Sequence, residues 1–225
     1  MLFSVSDLYR VLAEVMRGKA VSRALTNIFW KERIILCGQI LDIGGAVRGS
    51  HYRFLDVDTN AVFKIADITM KKGVDFTLDI TKEQVPLPEK SQDFILMFNI
   101  LEHLYEHQYV LSEVRRLLLP GGKLIGTIPF LINVHPDPHD YIRFTKEALE
   151  HLFTENGFSV KVIEPIGRGP FLAGYEQLDM LIPKRLHLFF LPTIWFLDYL
   201  LSLLKPNRDF PSQFPLAYNF IVEKI

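Results

Sequence analysis

The chain has 225 residues, of which 49% are hydrophobic, enough to bury a full core. Its 25 Lys and Arg against 26 Asp and Glu give a formal net charge of -1 and no basic excess, which argues against DNA or long RNA as a partner. The single cysteine, Cys37, excludes an intrachain disulfide and a cysteine-rich zinc site.

Met1 to Arg10 carries Asp7 and no basic start followed by an apolar run, so it does not read as a signal peptide, and a cytoplasmic location is expected. Apolar residues at helical spacing predict helices over Leu8 to Met16 and Val21 to Trp30. The pattern then becomes that of short buried strands: Gln39 to Gly45, Arg53 to Asp58, Val74 to Asp79, Asp93 to Asn99 and Lys123 to Ile128. A helix is predicted over Gln108 to Leu119, and another over Lys146 to Glu155, stopped by Asn156-Gly157. Phe158 to Glu164 and Leu216 to Glu223 complete a set of seven strands. Strands alternating with helices imply a mostly parallel sheet covered on both faces.

Parallel sheets bind ligands outside the carboxyl ends of their strands. The first predicted strand ends in the glycine turn Asp42-Ile43-Gly44-Gly45-Ala46, where the backbone can bend tightly and a ligand can approach closely. Asp58 follows the second, Asp79-Ile80 the third and Asn99 the fourth. A carboxylate at such a tip offers acceptors to paired ribose hydroxyls or to an exocyclic amine. Farther on stand Pro86-Leu87-Pro88-Glu89-Lys90-Ser91-Gln92-Asp93-Phe94-Ile95, the run Asn99-Ile100-Leu101-Glu102-His103-Leu104 and the turn Leu119-Pro120-Gly121-Gly122-Lys123-Leu124.

In this order and at this spacing, these segments resemble the class I S-adenosylmethionine-dependent methyltransferases, in particular the type 11 group. The resemblance covers roughly residues 38 to 164 and the last strand. It implies a Rossmann-like α/β fold whose final strand runs antiparallel, with S-adenosyl-L-methionine as cofactor. It places Asp42, Gly44, Gly45 and Ala46 at the cofactor bend, Asp58 at the ribose, Asp79 and Ile80 at the adenine, and Asn99 beside them. Ala46 and Arg48 stand where the family usually carries further glycines. Glu102 and His103 fit either of two roles, serving the cofactor edge or opening the next helix.

The proline-rich loop from Pro129 to Thr145 follows the fifth strand, where an acceptor would enter. Transfer to oxygen needs a base. His139, followed by Asp140, is the first candidate and His135 the second, while Arg143 could hold an anionic acceptor group. Asp140 and Arg143 fit equally well as a salt bridge that ties the loop, with Thr145 capping the next helix. Metal ligation by His135, Asp137 and His139 is disfavoured by the intervening prolines and the lack of a fourth ligand, so no metal is expected. The loop also resembles one in a family branch linked to cell-surface glycan synthesis, which implies a small-molecule or sugar- or lipid-linked acceptor, methylated at oxygen.

One domain is expected: leading helices over 1–37, a cofactor core over 38–164, an apolar helical insertion over 165–208 and the final strand over 209–225. Leu186 to Leu204 approaches the length of a membrane span, but Pro192 interrupts it and Asp198 would be costly in lipid. Two short helices are expected there, covering a pocket, forming a homodimer or docking on a membrane surface through Lys184, Arg185 and Lys205. Two other functions compete. Gly44, Ala46 and Gly49 fit a loose G-x-A-x-x-G of a nicotinamide oxidoreductase, although Asp42 before the glycines and the lack of a later hydride-transfer pair count against it. A non-catalytic binding protein could also keep this fold.

Overall fold

The structure is a computed structural model that describes residues 5–31, 33–45 and 50–225. Ala46 lies outside the described residues, as do Val47, Arg48 and Gly49. The chain opens with α1 (Val5–Met16) and α2 (Val21–Trp30), then β1 (Ile35–Leu36) and β2 (Gln39–Ile43). After a 3-10 turn at Ser50–Arg53 come β3 (Asp56–Val57), β4 (Val62–Asp67), β5 (Phe76–Thr77) and β6 (Gln92–Phe98). A second 3-10 turn at Leu101–His103 leads to α3 (His107–Leu117), β7 (Leu118–Pro129), α4 (Lys146–Glu155) and β8 (Phe158–Ile166). The last elements are α5 (Pro170–Leu178), α6 (His187–Leu204), α7 (Phe210–Gln213) and β9 (Ala217–Lys224). Seven strands form one sheet in the order β5-β4-β2-β6-β7-β9-β8, with β9 antiparallel. The expected α/β, Rossmann-like fold is therefore present.

One strand was misplaced by its sequence pattern. Arg53 to Asp58 contributes only β3, which pairs with β1 in a separate two-stranded ribbon through Ile35↔Asp56 and Leu36↔Val57. The strand beside β2 is β4, with Gln39↔Val62 running through to Ile43↔Ala66. Its other neighbour, β5, is two residues long, so β4 is buried only at its carboxyl end. That half-burial gives a mixed sequence, Val62-Phe63-Lys64-Ile65-Ala66-Asp67, without the continuous apolar run of a central strand. By contrast β6 is central, with Ile95, Leu96 and Met97 fully buried, and its sequence is an unbroken apolar run from Phe94 to Phe98.

By contacts the chain divides into two compact units. One comprises 31–128, 134–164 and 219–225 and holds most of the sheet. Within it, the stretch leading into β6 is held by α3. Val85 N–H donates to Glu113 Oε1 at 2.9 Å, and Arg116 donates to the carbonyls of Leu87 (3.0 Å) and Val85 (3.1 Å). This clamp gives the Pro86 to Asp93 motif a structural reason. Asp93 serves likewise, accepting the Gln39 N–H at 2.8 Å across the starts of β2 and β6.

The second unit comprises 1–30, 129–133 and 165–218. Its core includes Val11, Leu25, Trp30, Leu172, Leu191 and Trp195, each 0–4% exposed. Here the expectation of two short helices is corrected: α6 is continuous, with Pro192 inside it. The reason lies in the stripe His187, Leu191, Trp195 and Asp198, spaced at i, i+4, i+8 and i+11 and buried as one face. Asp198 accepts the Phe171 (3.1 Å) and Leu172 (2.9 Å) N–H groups at the start of α5, where a carboxylate satisfies donors that a helix leaves open. Arg168 stacks 4.5 Å from the Trp195 ring centroid. Packing along that face outweighs the single backbone bond that proline removes.

Candidate functional site

The bend after β2 lies at the carboxyl edge of the sheet. Gly44 N–H donates to the Ala66 carbonyl at 2.8 Å, and Gly44 sits at φ +73°, a conformation that side chains disfavour. A Cβ there would lie 2.0 Å from Ile100 Cδ1; one on Gly45 would lie 2.1 Å from Asp42 Oδ2 and 2.8 Å from the Tyr52 hydroxyl. Asp42 is 1% exposed and accepts a hydrogen bond from the Tyr52 hydroxyl. Burial, then the charge of Asp42, push the Tyr52 hydroxyl far above its usual range, so it stays a neutral donor. Asp42 thus supports the bend from beneath. Tyr52, which the sequence reading did not single out, is its partner; only a spacing of ten residues separates them, and no periodic signal marks it.

The strand shift moves the acids. Asp58 is exposed, donates its N–H to the Leu36 carbonyl and accepts the Asn60 N–H at 2.8 Å, capping the turn after β3. Asp67 stands at the tip of β4, 8% exposed, one residue beyond the partner of Ile43. Its carbonyl accepts the Leu78 N–H (3.1 Å), and its Oδ1 accepts the Thr69 N–H (2.7 Å). The tips of β2, β4 and β5 are therefore laced side by side, with Gly44 on the first and Asp67 on the second. Asp79 is half-buried just past β5 and Ile80 is buried beside it. Hydrogen bonds from the Lys82 ammonium (2.8 Å) and the Thr81 hydroxyl (2.6 Å) hold the Asp79 carboxyl below its usual range. Asn99, at φ +55°, donates its N–H to the Thr127 carbonyl and turns the chain past β6.

This arrangement fits a nucleoside cofactor of the expected kind. A bend without side chains, walled by Ile100, offers close backbone approach, and a nearly buried carboxylate at the next strand tip offers acceptors.

The loop following β7 is organised around Asp140. Arg143 grips it with both terminal guanidinium nitrogens, one at 2.7 Å. His135 donates its N–H to Asp140 Oδ2 at 2.9 Å and brings Nδ1 to 3.4 Å from the same oxygen. The Arg143 hydrogen bonds, foremost, hold the Asp140 carboxyl far below the usual range. Arg143, expected to hold an acceptor anion, is thus engaged within the loop, and the salt bridge considered from sequence is present. Thr145 caps α4, accepting the Ala148 N–H. Asp140 serves His135, not His139. The His139 ring is exposed and lies tilted on Tyr141 with centroids 5.2 Å apart. Glu102 and His103 form a single 3-10 turn ahead of α3.

Residues 41–126 match the family model of the methyltransferase domain. Over 102 residues the chain is 29% identical to a probable S-adenosylmethionine-dependent methyltransferase of Mycolicibacterium smegmatis. That match covers 43% of this chain, and the chain spans only 38% of the length of that curated relative. Among solved structures, an S-adenosylmethionine-dependent methyltransferase from Archaeoglobus fulgidus is 20% identical, with a TM-score of 0.56, 96% of this chain and 99% of that one being covered. The [4+2]-cyclase SpnF is similar at 16% identity and a TM-score of 0.55, over 97% of this chain and 93% of that one. Residues 41–126 are thus similar to the methyltransferase domain of the S-adenosylmethionine-dependent methyltransferases, and the glycine bend and strand order agree with that likeness.

Proposed function

We propose that this protein transfers a methyl group from S-adenosylmethionine to the oxygen of a small-molecule or sugar- or lipid-linked acceptor. The observation that carries the reading is the laced set of strand tips, with the Gly44-Gly45 bend beside Asp67. Gly44 and Gly45 give the backbone room against the cofactor's amino-acid and ribose portions. Asp67, in place of Asp58, accepts from the ribose hydroxyls, and Asp79 and Ile80 border the adenine. Asn99 and Ile100 close the bend from the β6 side. The cofactor supplies an electrophilic methyl on a sulfonium, and the protein aligns an acceptor with it. His139 takes the acceptor proton, because its ring is not committed to Asp140 while that of His135 is.

Calorimetric titration with S-adenosylmethionine and NAD, followed by an acceptor screen with radiolabelled donor, tests the proposal. Micromolar binding of the first ligand and label in an acceptor are expected; preference for NAD overturns the reading. The likeness to a cyclase keeps a second reading in view, since one fold hosts several chemistries. Under that reading S-adenosylmethionine binds and no acceptor is labelled.

Exchanging the acids tests the strand shift. Asp67→Ala is expected to weaken S-adenosylmethionine binding about 10- to 100-fold, from charged hydrogen bonds worth about 1.5–3 kcal/mol. Asp58→Ala should change it less than about twofold. The reverse order would restore Asp58 to the ribose.

We also propose that α6 meets a membrane surface. Lys184–Leu204 is long and apolar enough to cross a membrane, but its buried stripe is docked on its own unit. The opposite face exposes Phe189 (72%), Phe196 (59%), Leu203 (57%) and Leu204 (71%). Exposed Lys184, Arg185 and Lys205 flank that face, complementary to an anionic bilayer. Docking would bring the chain to where lipid-linked acceptors reside. Co-sedimentation with anionic vesicles, and its loss in Phe189→Asp/Phe196→Asp, is the expected result. A stable dimer that ignores vesicles would assign the face to a second copy.

A further inference from the structure

We propose that Glu102, His103 and His135 form a binding site for a divalent transition-metal ion of the zinc type. The inference stands apart from methyl transfer and draws on a cluster that the reading above leaves unused. Glu102 is 0% exposed, and neither of its carboxylate oxygens accepts a hydrogen bond. An uncompensated buried carboxylate costs several kcal/mol, roughly, even after the surroundings relax. What lies against it is a pair of imidazoles. His103 Nε2 and His135 Nε2 each stand 3.8 Å from Glu102 Oε1, and the three ligand atoms all lie within 4.8 Å of one another. The two rings meet edge to face, with centroids 5.2 Å apart.

The remaining ring nitrogens supply a second, independent observation. His103 Nδ1 is hydrogen-bonded to the His139 carbonyl at 2.5 Å, an acceptor only, so Nδ1 donates there and Nε2 is the nitrogen left to ligate. His135 turns Nδ1 to Asp140 Oδ2 at 3.4 Å, while Arg143 holds Asp140 in place. A metal-bound histidine commonly gives its other ring N–H to a backbone carbonyl or a carboxylate, and here one histidine has each. Both Nε2 atoms are thereby aimed at the same buried oxygen.

Two imidazoles and a carboxylate suit zinc, and also iron or manganese, whereas magnesium and calcium favour all-oxygen sets. Bonds of about 2.0–2.1 Å put tetrahedral ligand atoms about 3.3 Å apart, so the two 3.8 Å separations from Glu102 need close by only about half an ångström, and the imidazole nitrogens, within 4.8 Å of each other, by at most about 1.5 Å. Three protein ligands leave a position for water or an acceptor oxygen. The ion would also tie the β7–α4 loop, through His135, to the turn after β6. Asp137 and His139, ligands considered from sequence, are exposed and take no part.

The test uses the full chain, stripped with chelator and titrated with cobalt(II) under visible absorption, then with zinc in competition. One equivalent with tetrahedral d–d bands, displaced by zinc, is expected. His135→Ala should abolish those bands, Asp140→Asn should weaken binding about 10- to 100-fold, and His151→Ala on the exposed face of α4 should leave it unchanged. His135 is a third exposed at its side chain, so its truncation should leave the fold intact by circular dichroism even if Glu102→Gln does not fold. Failure of the folded wild type to bind cobalt, or equal binding by His135→Ala, overturns the proposal.

Discussion

Gly44→Val is expected to abolish measurable binding of S-adenosylmethionine. Two costs coincide at this position. The φ of +73° is strained for any side chain, by about 1–2 kcal/mol, and worse for a β-branched one. Its Cβ would lie 2.0 Å from Ile100 Cδ1, so Ile100 or the bend must move. Either movement fills or reshapes the space where the backbone would approach the ligand. An affinity loss of at least about 100-fold follows if the displacement costs about 2.7 kcal/mol or more, and titration calorimetry reads it directly. Circular dichroism should show the sheet retained, since the Gly44 bond to Ala66 lies at the strand end. Near wild-type affinity in the variant would show that the ligand site is elsewhere.

His139→Ala carries the next largest effect. A positioned base contributes about 10²–10⁴-fold, so kcat on a genuine acceptor should fall by that factor. Binding of S-adenosylmethionine should be unchanged, because the site assigned to it uses none of the His139 ring. Stability should change by less than about 0.5 kcal/mol, the ring being exposed and the carbonyl that meets His103 remaining in the variant. Undiminished kcat would remove His139 from the mechanism. A drop in kcat in His135→Ala but not in His139→Ala would transfer the role to His135, paired with Asp140.

The contrast between β6 and β4 shows what a sequence can carry. β6 is buried on both faces, and burial selects an unbroken apolar run that reads at once as a strand. Residues 146–155 were equally legible, since a helical stripe with a threonine ahead of it has a local cause at each end. β4 lies next to the two-residue β5, and its residues answer to solvent as much as to the core. The segment Arg53 to Asp58, which repeats the form of the first strand and ends in an acid, therefore took the assignment, and Asp58 with it. Gly44, Asp79 and Asn99 stood out in the sequence because each follows a strand. Tyr52 beneath Asp42 and the meeting of Glu102 with His135 did not, because such pairs arise only when distant turns are brought together. Asp140 illustrates the same limit at short range: adjacency suggested His139 as its partner, but the loop folds it back to His135.

The brevity of β5 has a thermodynamic outcome. The border of the sheet that would receive the adenine is its least supported part, a two-residue strand held by Ala66↔Phe76 and Asp67↔Thr77. A ligand bridging Gly44, Asp67 and Asp79 would supply the missing neighbour there. Saturation would then stabilise the folded chain by mass action, and most of that gain would be felt as reduced fraying between Val62 and Asp79.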